Sequence, residues 1–251
     1  MIDIHSHILP GLDDGPETLV ESLAMARAAH QAGTKILVAT PHILNVLDLN
    51  KNILIQNNFK HFKKLVEAEL PEFEMLLGSE IFFRPNLSDL VRYEVATING
   101  SGRYMLVEFS LIDIPVGFDK ELKRLQNKGV IPVIAHPERN AAALRKPSLI
   151  KQMVNAGALI QINAGSLTGL FGRAVKKLAH NLLKRGWVHV IASDAHSINH
   201  RGPDLRAAIS AASDTIGVAK AGRLVWDNPR AIIEALPLPG RETLEFITGG
   251  T

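Results

Sequence analysis

No cysteine occurs among the 251 residues. Disulfides, thiolate metal sites and a cysteine nucleophile are therefore excluded, and with them the thiol-phosphate intermediate of the cysteine phosphatases. Aromatic residues are scarce, with only two tryptophans and two tyrosines, so no stripe of bases and aromatics suggests nucleic-acid binding. No apolar run approaches the roughly 18 residues of a membrane span. The longest, such as "VIPVIAH" and "ILVAT", are strand-sized. Neither Gly-x-Gly-x-x-Gly nor a Walker-type "GKS/T" is present, which removes the usual dinucleotide and P-loop signatures. Asp3 and His5 stand where a signal peptide would need a basic start and an apolar stretch, so a cytoplasmic location is expected.

What is there is ordinary for a globular chain with a real core: 46% apolar and 21% charged residues. The formal net charge of +3 permits an anionic substrate. The basic residues are scattered, and the densest cluster, "KHFKKL" at 60–65, reads as the solvated face of a helix.

Short β-branched runs alternate with helix-period stretches. Strands are expected at 2–5, 35–40, 73–78, 104–109, 130–135, 159–163 and 188–193. Amphipathic segments fall at 17–32, 52–69, 119–128, 148–156, 172–185, 204–212 and 228–235, while 84–100 has room for a short helix. Gly33, Gly129, Gly157 and Gly186 sit where helix C-caps are wanted before the next strand. Continuous apolar strands separated by helices indicate a parallel sheet covered on both faces. Seven such units predict a distorted (β/α)7 barrel in a single domain spanning 1–251, with an open doubly wound sheet as the alternative.

The chemically capable residues fall at the strand ends. His5 and His7 end the first strand, one residue apart, so an extended backbone presents both imidazoles on one face. Asp13 and Asp14 follow in "LDDG". His42 lies in "ATPH", Glu80 in "GSEI", Glu108 in "VEFS", His136 and Arg139 in "AHPER", and Asp194 and His196 in "ASDAH". Only the sixth strand, "LIQIN", ends without histidine or charge, at Asn163. In a parallel barrel these ends share one face, the face that carries the active site. A strand-end salt bridge or a helix N-cap explains any one of them. Burying so many acceptors together without cations would be very costly. Imidazole and carboxylate donors without thiolate suit Mn²⁺, Fe or Zn²⁺. Nine candidates, His5, His7, Asp14, His42, Glu80, Glu108, His136, Asp194 and His196, suffice for two or three divalent ions. The remaining histidines, His30, His61, His180, His189 and His200, read as helical or surface residues, His200 being nearest the site loop.

The segments "DIHSHILPGLDDGP", "ATPH", "GSEI", "VEFS", "AHPER" and "ASDAH", in this order, resemble the polymerase-and-histidinol-phosphatase (PHP) superfamily. More closely they resemble its bacterial protein-tyrosine phosphatases of capsule and exopolysaccharide clusters. The likeness runs to about residue 235, where "WDNPRAII" resembles the family's closing helix. It implies a distorted (β/α)7 barrel and three metal sites, with manganese the foremost metal. His5, His7, Glu80 and Asp194 would hold one ion, Glu80, Glu108 and His136 a second, and Asp14, His42 and His196 a third. Arg139, and Arg201 in "NHRGPD", resemble the family's phosphate-binding arginines. Ile43 and Ser79 depart from the family pattern without removing a ligand. Phe82, Phe83 and Phe109 are the candidates for holding a phosphotyrosine ring.

The resulting expectation is metal-assisted hydrolysis of a phosphomonoester. The substrate implied by the resemblance is the phosphotyrosine tail of a bacterial tyrosine kinase controlling polysaccharide export, with no nucleic acid and no membrane insertion. A small-molecule phosphatase of the histidinol-phosphatase type is the alternative. A polymerase-associated nuclease module and a metal-dependent amidohydrolase stand further off.

Overall fold

The computed structural model describes residues 1–239. In chain order the elements are β1 (Ile2–Ser6), α1 (Leu19–Gln31), β2 (Ile36–Ala39), β3 (His42–Ile43), α2 (Leu49–Glu69), β4 (Glu74–Leu77) and β5 (Glu80–Phe82). There follow β6 (Tyr104–Glu108), α3 (Phe118–Asn127), β7 (Ile131–Ala135), α4 (Ala141–Arg145), α5 (Ser148–Asn155), β8 (Leu159–Asn163), α6 (Ala164–Thr168) and α7 (Arg173–Lys184). The last are β9 (Val190–Ala192), α8 (Arg206–Ile216), α9 (Val218–Val225) and α10 (Asp227–Ile233).

All seven expected strands occur, and two of them are interrupted. The second breaks at Pro41, which has no N–H for a ladder, and resumes as β3. The third breaks at Gly78–Ser79 and resumes as β5. Two parallel sheets result, in orders β1-β2-β4 and β3-β5-β6-β7-β8-β9. Hydrogen bonds from Gly78 N to Ala39 O (2.9 Å) and from Glu80 N to Pro41 O (3.1 Å) run across the breaks. A single bridge, Ser6 to Ala195, links the first strand to the loop after the last. Among the described residues the parallel α/β scaffold is thus two abutting sheets, without one continuous closed ladder.

The region 84–100, which has room for a short helix, holds three successive 3-10 segments, Leu87–Arg92, Glu94–Ala96 and Ile98–Gly100. Helices α4, α6 and α9 have no counterpart among the expected segments. Gly217, at φ 85°, separates α9 from α8. The other boundaries agree within a few residues. Helix α1 starts from a capping box, in which Thr18 and Glu21 satisfy each other's backbone N–H groups.

The interior packing positions the site. Alternate residues along each strand point the same way, and Ile2, Ile4, Val38, Tyr104, Leu106, Val133, Leu159 and Val190 form one buried apolar cluster. Helix α10 adds Ala231, Ile232 and Ile233 to it, and Tyr104 Oη donates to Leu236 O at 2.6 Å. Continuing the same alternation toward the C-terminal ends turns the rows polar: Leu106 leads to Glu108, Leu159 to Gln161 and Asn163, Ala192 to Asp194. On β1 the register to β2 shifts between Asp3 and Ser6, and His5 and His7 follow the apolar pair Ile2 and Ile4. Such a shift changes which side chains face the interior. A second core, including Met105, Val107, Ile134, Ile160 and Ile191, packs the outer strand faces against Leu122, Leu125, Met153, Leu178 and Leu182. Truncating such a residue to alanine costs about 2–5 kcal/mol, so the polar centre rests on a rigid support.

Candidate metal centre

Every proposed ligand reaches one centre. His5, His7, Glu80, His136, Asp194 and His196 are buried, Glu108 and His42 are partly buried, and Asp14 is the exposed member. His136 and Asp194 follow β7 and β9 in left-handed backbone, at φ 32° and 53°. Non-glycine residues adopt this conformation at a cost, and it collects at functional sites. Here Asp194 N donates across the chain to His5 O at 2.9 Å, and His136 O accepts from Arg139 N at 3.0 Å in the 3-10 turn that follows it.

Glu80 and Asp194 are the shared carboxylates. Glu80 Oε1 lies 2.9 Å from His136 Nε2 and 3.3 Å from His5 Nε2, while Oε2 lies 3.0 Å from His42 Nδ1 and 3.3 Å from His7 Nε2. Asp194 Oδ1 lies 3.4 Å from both His5 Nε2 and His7 Nε2. Asp14 Oδ1 reaches His196 Nε2 at 3.1 Å and His42 Nε2 at 3.4 Å. Donor atoms within 4.8 Å of one another form four overlapping sets: His7, Asp14, His42 and His196; His5, His7 and Glu80; His5, His136 and Asp194; and His42, Glu80 and Glu108. The first set places His7 with Asp14, His42 and His196, and the second keeps His5, His7 and Glu80 together. In the other two, His136 groups with Asp194, and His42 joins Glu80 and Glu108. His136 nevertheless lies 3.7 Å from Glu108 Oε1.

The electrostatics fit a cation site. Burial opposes charge on Glu80 and Asp194, but His5 and the neighbouring imidazoles outweigh it, and both carboxyls lie well below their usual range. Burial likewise opposes charge on His7, yet the hydrogen bond to Asp13 and the neighbouring carboxylates of Asp194 and Glu80 raise it well above an ordinary histidine. Glu108 is raised, by burial first and then by Glu80. His42 Nδ1, Glu80 Oε2, Asp194 Oδ1 and His196 Nε2 are buried without a hydrogen-bond partner. Each such atom costs about 1–3 kcal/mol, and all four face this cluster. The residues present therefore fit divalent cations.

Several contributors are missing from the sequence reading. Asp13 Oδ2 accepts from His7 Nδ1 at 2.7 Å and from His42 N at 2.9 Å, while its Oδ1 accepts from Gly15 N at 3.0 Å. "LDDG" displays both aspartates, but nothing local separates the ligand from its supporter. Gln161 Oε1 lies 2.9 Å from His5 Nδ1; its signal was a glutamine inside an apolar strand. The guanidinium of Arg139 stacks 4.2 Å over the Phe171 ring. Arg139 and Arg201 both bind Asp194 Oδ2, Arg139 at 3.0 Å. Glu138 pairs with neither arginine: Oε1 accepts from Asn163 N and Ser166 Oγ. Phe109 is buried in the core with Phe83 stacked on it at 4.7 Å, so it does not face a substrate ring. The five set-aside histidines stay outside the centre. His180 bonds Thr215, His189 Nδ1 accepts from Ile160 N, His30 packs edge-on against Phe73, and His61 and His200 are exposed.

A mixed α/β scaffold with parallel strands, gathering histidines and carboxylates at the strand C-termini, defines a metal-dependent hydrolase of barrel-like architecture. Known structures agree: the chain superposes on an organophosphorus hydrolase with TM-score 0.57 at 14% identity over 92% of each chain, a likeness of fold alone. The chain belongs to the CpsB/CapC family of capsular polysaccharide synthesis, whose sequence pattern matches residues 1–234. It is 38% identical to the tyrosine-protein phosphatase YwqE of Bacillus subtilis over 203 residues, 80% of this chain and 79% of that protein. It is 33% identical to the tyrosine-protein phosphatase CpsB of Streptococcus pneumoniae over 239 residues, 93% of this chain and 98% of that one. A crystal structure from work on YwqE and CpsB, described as metal-dependent tyrosine phosphatases, superposes with TM-score 0.88 at 33% identity, covering 95% of this chain and 96% of that one.

Proposed function

We propose that this chain, as a single domain, is a metal-dependent protein-tyrosine phosphatase acting on the phosphotyrosine-bearing tail of a bacterial tyrosine kinase that controls capsule or exopolysaccharide production. The observation that carries this reading is the convergence of nine imidazoles and carboxylates, Glu80 and Asp194 among them, in one cluster beside two arginines, in a chain whose relatives are named tyrosine-protein phosphatases. His5, His7, Glu80 and Asp194 would hold one ion, Glu80, Glu108 and His136 a second, and Asp14, His42 and His196 a third. This donor set suits manganese, iron or zinc, and manganese is the metal of this proposal. When bound, the ions supply positive charge for phosphoryl oxygens and acidify the attacking water.

The chain's own part is binding and orientation. Arg139 and Arg201 present planar forks that match phosphate oxygens. Arg201 Nε is buried without a hydrogen-bond partner, a donor available to an anion. Stacking on Phe171 holds the Arg139 guanidinium in place. A phenolate leaving group has a pKa near 10, which lessens the need for a strong general acid. Clefts of about 450 and 460 Å³ open on the two sides of Asp14. Exposed Leu44 and Val46 line the first and Ile198 the second. An open, partly apolar mouth suits a polypeptide better than a small phosphoester that must be enclosed. No helix among the described residues is long and apolar enough to cross a membrane.

The test is phosphate release by Mn²⁺-loaded protein from a tyrosine-phosphorylated peptide and from histidinol phosphate, each with and without chelator. Chelator-sensitive turnover favouring the peptide is expected. Preference for histidinol phosphate would shift the substrate to small molecules, and turnover of neither would overturn the reading.

A further inference from the structure

One strand end supplies no candidate ligand, and it is not chemically idle. Gln161 and Asn163 lie two residues apart on β8, both fully buried, with side chains on the same side of the strand. Gln161 Oε1 is 2.9 Å from His5 Nδ1, Gln161 Nε2 is 2.9 Å from Asn163 Oδ1, and Asn163 Nδ2 is 2.6 Å from Asp194 Oδ2. These contacts form one buried chain from a histidine on β1 to an aspartate after β9.

The direction of the chain follows from its carboxylate end. An ionised carboxylate only accepts, so Asn163 turns its amide N–H₂ toward Asp194 and its oxygen toward Gln161. Gln161 then donates to that oxygen and offers its own oxygen to His5. A carbonyl oxygen cannot donate, so His5 carries its proton on Nδ1. Its other nitrogen, Nε2, is the one that faces Glu80 and Asp194, 3.3 and 3.4 Å away, and is left as the nitrogen for a metal ion. At the other end Asp194 Oδ2 receives Asn163, Arg139 and Arg201, while Oδ1 has no hydrogen-bond partner and faces the imidazoles. The chain thus selects one nitrogen of His5 and one oxygen of Asp194. Glu138 anchors it from outside: its Oε1 accepts from Asn163 N at 2.9 Å and from Ser166 Oγ at 2.6 Å.

We propose that Gln161 and Asn163 are positioning residues for the metal centre, setting the tautomer of His5 and the metal-facing oxygen of Asp194 through one directional hydrogen-bond chain. This inference rests on the reading of His5 and Asp194 as metal ligands. Outer partners of this kind typically govern metal affinity by roughly 10- to 100-fold.

Two measurements test it. The first uses unmutated protein loaded with Zn²⁺, a diamagnetic probe, and reads the His5 ring nitrogens by long-range ¹H–¹⁵N correlation. A protonated Nδ1 with Nε2 bound to metal is expected, and metal on Nδ1 would overturn the inference. The second measures Zn²⁺ and Mn²⁺ affinity by chelator competition for Gln161→Leu, Asn163→Ala and Gln161→Glu. The first two are expected to lose roughly 10- to 100-fold. Gln161→Glu keeps an acceptor at His5 and is expected to keep Nδ1 protonated. Unchanged affinity in both Gln161→Leu and Asn163→Ala would overturn the inference while leaving the ligand assignment intact. Failure of the unmutated protein to bind either metal would overturn both. Should Gln161→Leu fail to fold, Asn163→Ala and the spectrum of the unmutated protein still decide.

Discussion

His7 Nδ1 lies 2.7 Å from Asp13 Oδ2, and in the "LDDG" pair this aspartate is the one turned inward. The Asp13 side chain is 5% exposed and that of Asp14 63%. Two adjacent carboxylates therefore have separable jobs: Asp13 orients His7 and pins the backbone of His42 and Gly15, while Asp14 projects toward His42 and His196. Asp13→Ala should lower the stability of the metal-free protein by about 1–3 kcal/mol, since it leaves buried donors unpaired. Asp14→Ala should leave that stability nearly unchanged yet weaken metal binding. Urea unfolding of the chelated proteins checks the first, and metal titration the second. Equal destabilisation by both would contradict the division.

Arg139 contacts both Asp194 and Phe171, so its guanidinium is held before any phosphate arrives. Arg139→Ala should lower kcat/KM for a phosphotyrosyl peptide roughly 10²–10³-fold, the scale for losing one charge-stabilising donor. Arg139→Lys should recover only part of it, because an ammonium cannot act as a planar fork. Steady-state kinetics at fixed Mn²⁺ decide, and an unchanged kcat/KM would remove Arg139 from phosphate binding.

Cation removal should also be visible without substrate. Divalent ions would satisfy the unpartnered Glu80 Oε2 and Asp194 Oδ1 atoms and neutralise both carboxylates. Binding to the folded state alone stabilises by about 2.7 kcal/mol at a hundredfold excess over Kd. Differential scanning calorimetry should show Tm fall with chelator and recover with Mn²⁺. A Tm insensitive to both would argue against a metal centre.

Asp3 is fully buried beneath the centre, with Oδ1 accepting from His5 N and Ser193 N while Oδ2 has no partner. Burial, only partly offset by the Ser193 hydrogen bonds, pushes its carboxyl up to about 6. The folded state therefore holds this proton more tightly than the unfolded one. The neutral acid fits the fold, and stability is lost as pH rises from about 4 toward 6. Asp3→Asn should remove that component, gaining up to about 3 kcal/mol relative to the parent above pH 6. Unfolding curves of the two chelated proteins at pH 4.5 and 7 test this; a constant difference between them would refute it.

Gly15 sits where a Cβ would overlap the carbonyl oxygen of His7 and crowd Asp13 Oδ1. Gly15→Ala should push the loop outward, weakening metal affinity as well as stability. Retention of full metal affinity would show that the loop adapts without moving His7 or Asp13.

Much was legible in the chain itself. Apolar runs of strand length, spaced by amphipathic segments, establish a parallel α/β scaffold, because burial on both faces demands continuous hydrophobicity. The placement of His5, His7, His42, Glu80, Glu108, His136, Asp194 and His196 at strand ends marks one face, since parallel strands align those ends. What sequence could not carry was pairing at a distance. Pro41 and the Gly78–Ser79 pair split the expected ring into two sheets, a consequence of ladder geometry across neighbouring strands. The roles of Asp13, Gln161 and Asn163 depend on hydrogen bonds spanning 6, 156 and 31 residues of chain, to His7, His5 and Asp194 respectively. A side chain's type shows what it can donate or accept. Only the tertiary fold, by bringing the C-terminal ends of β1, β8 and β9 to one centre, decides which partner receives it.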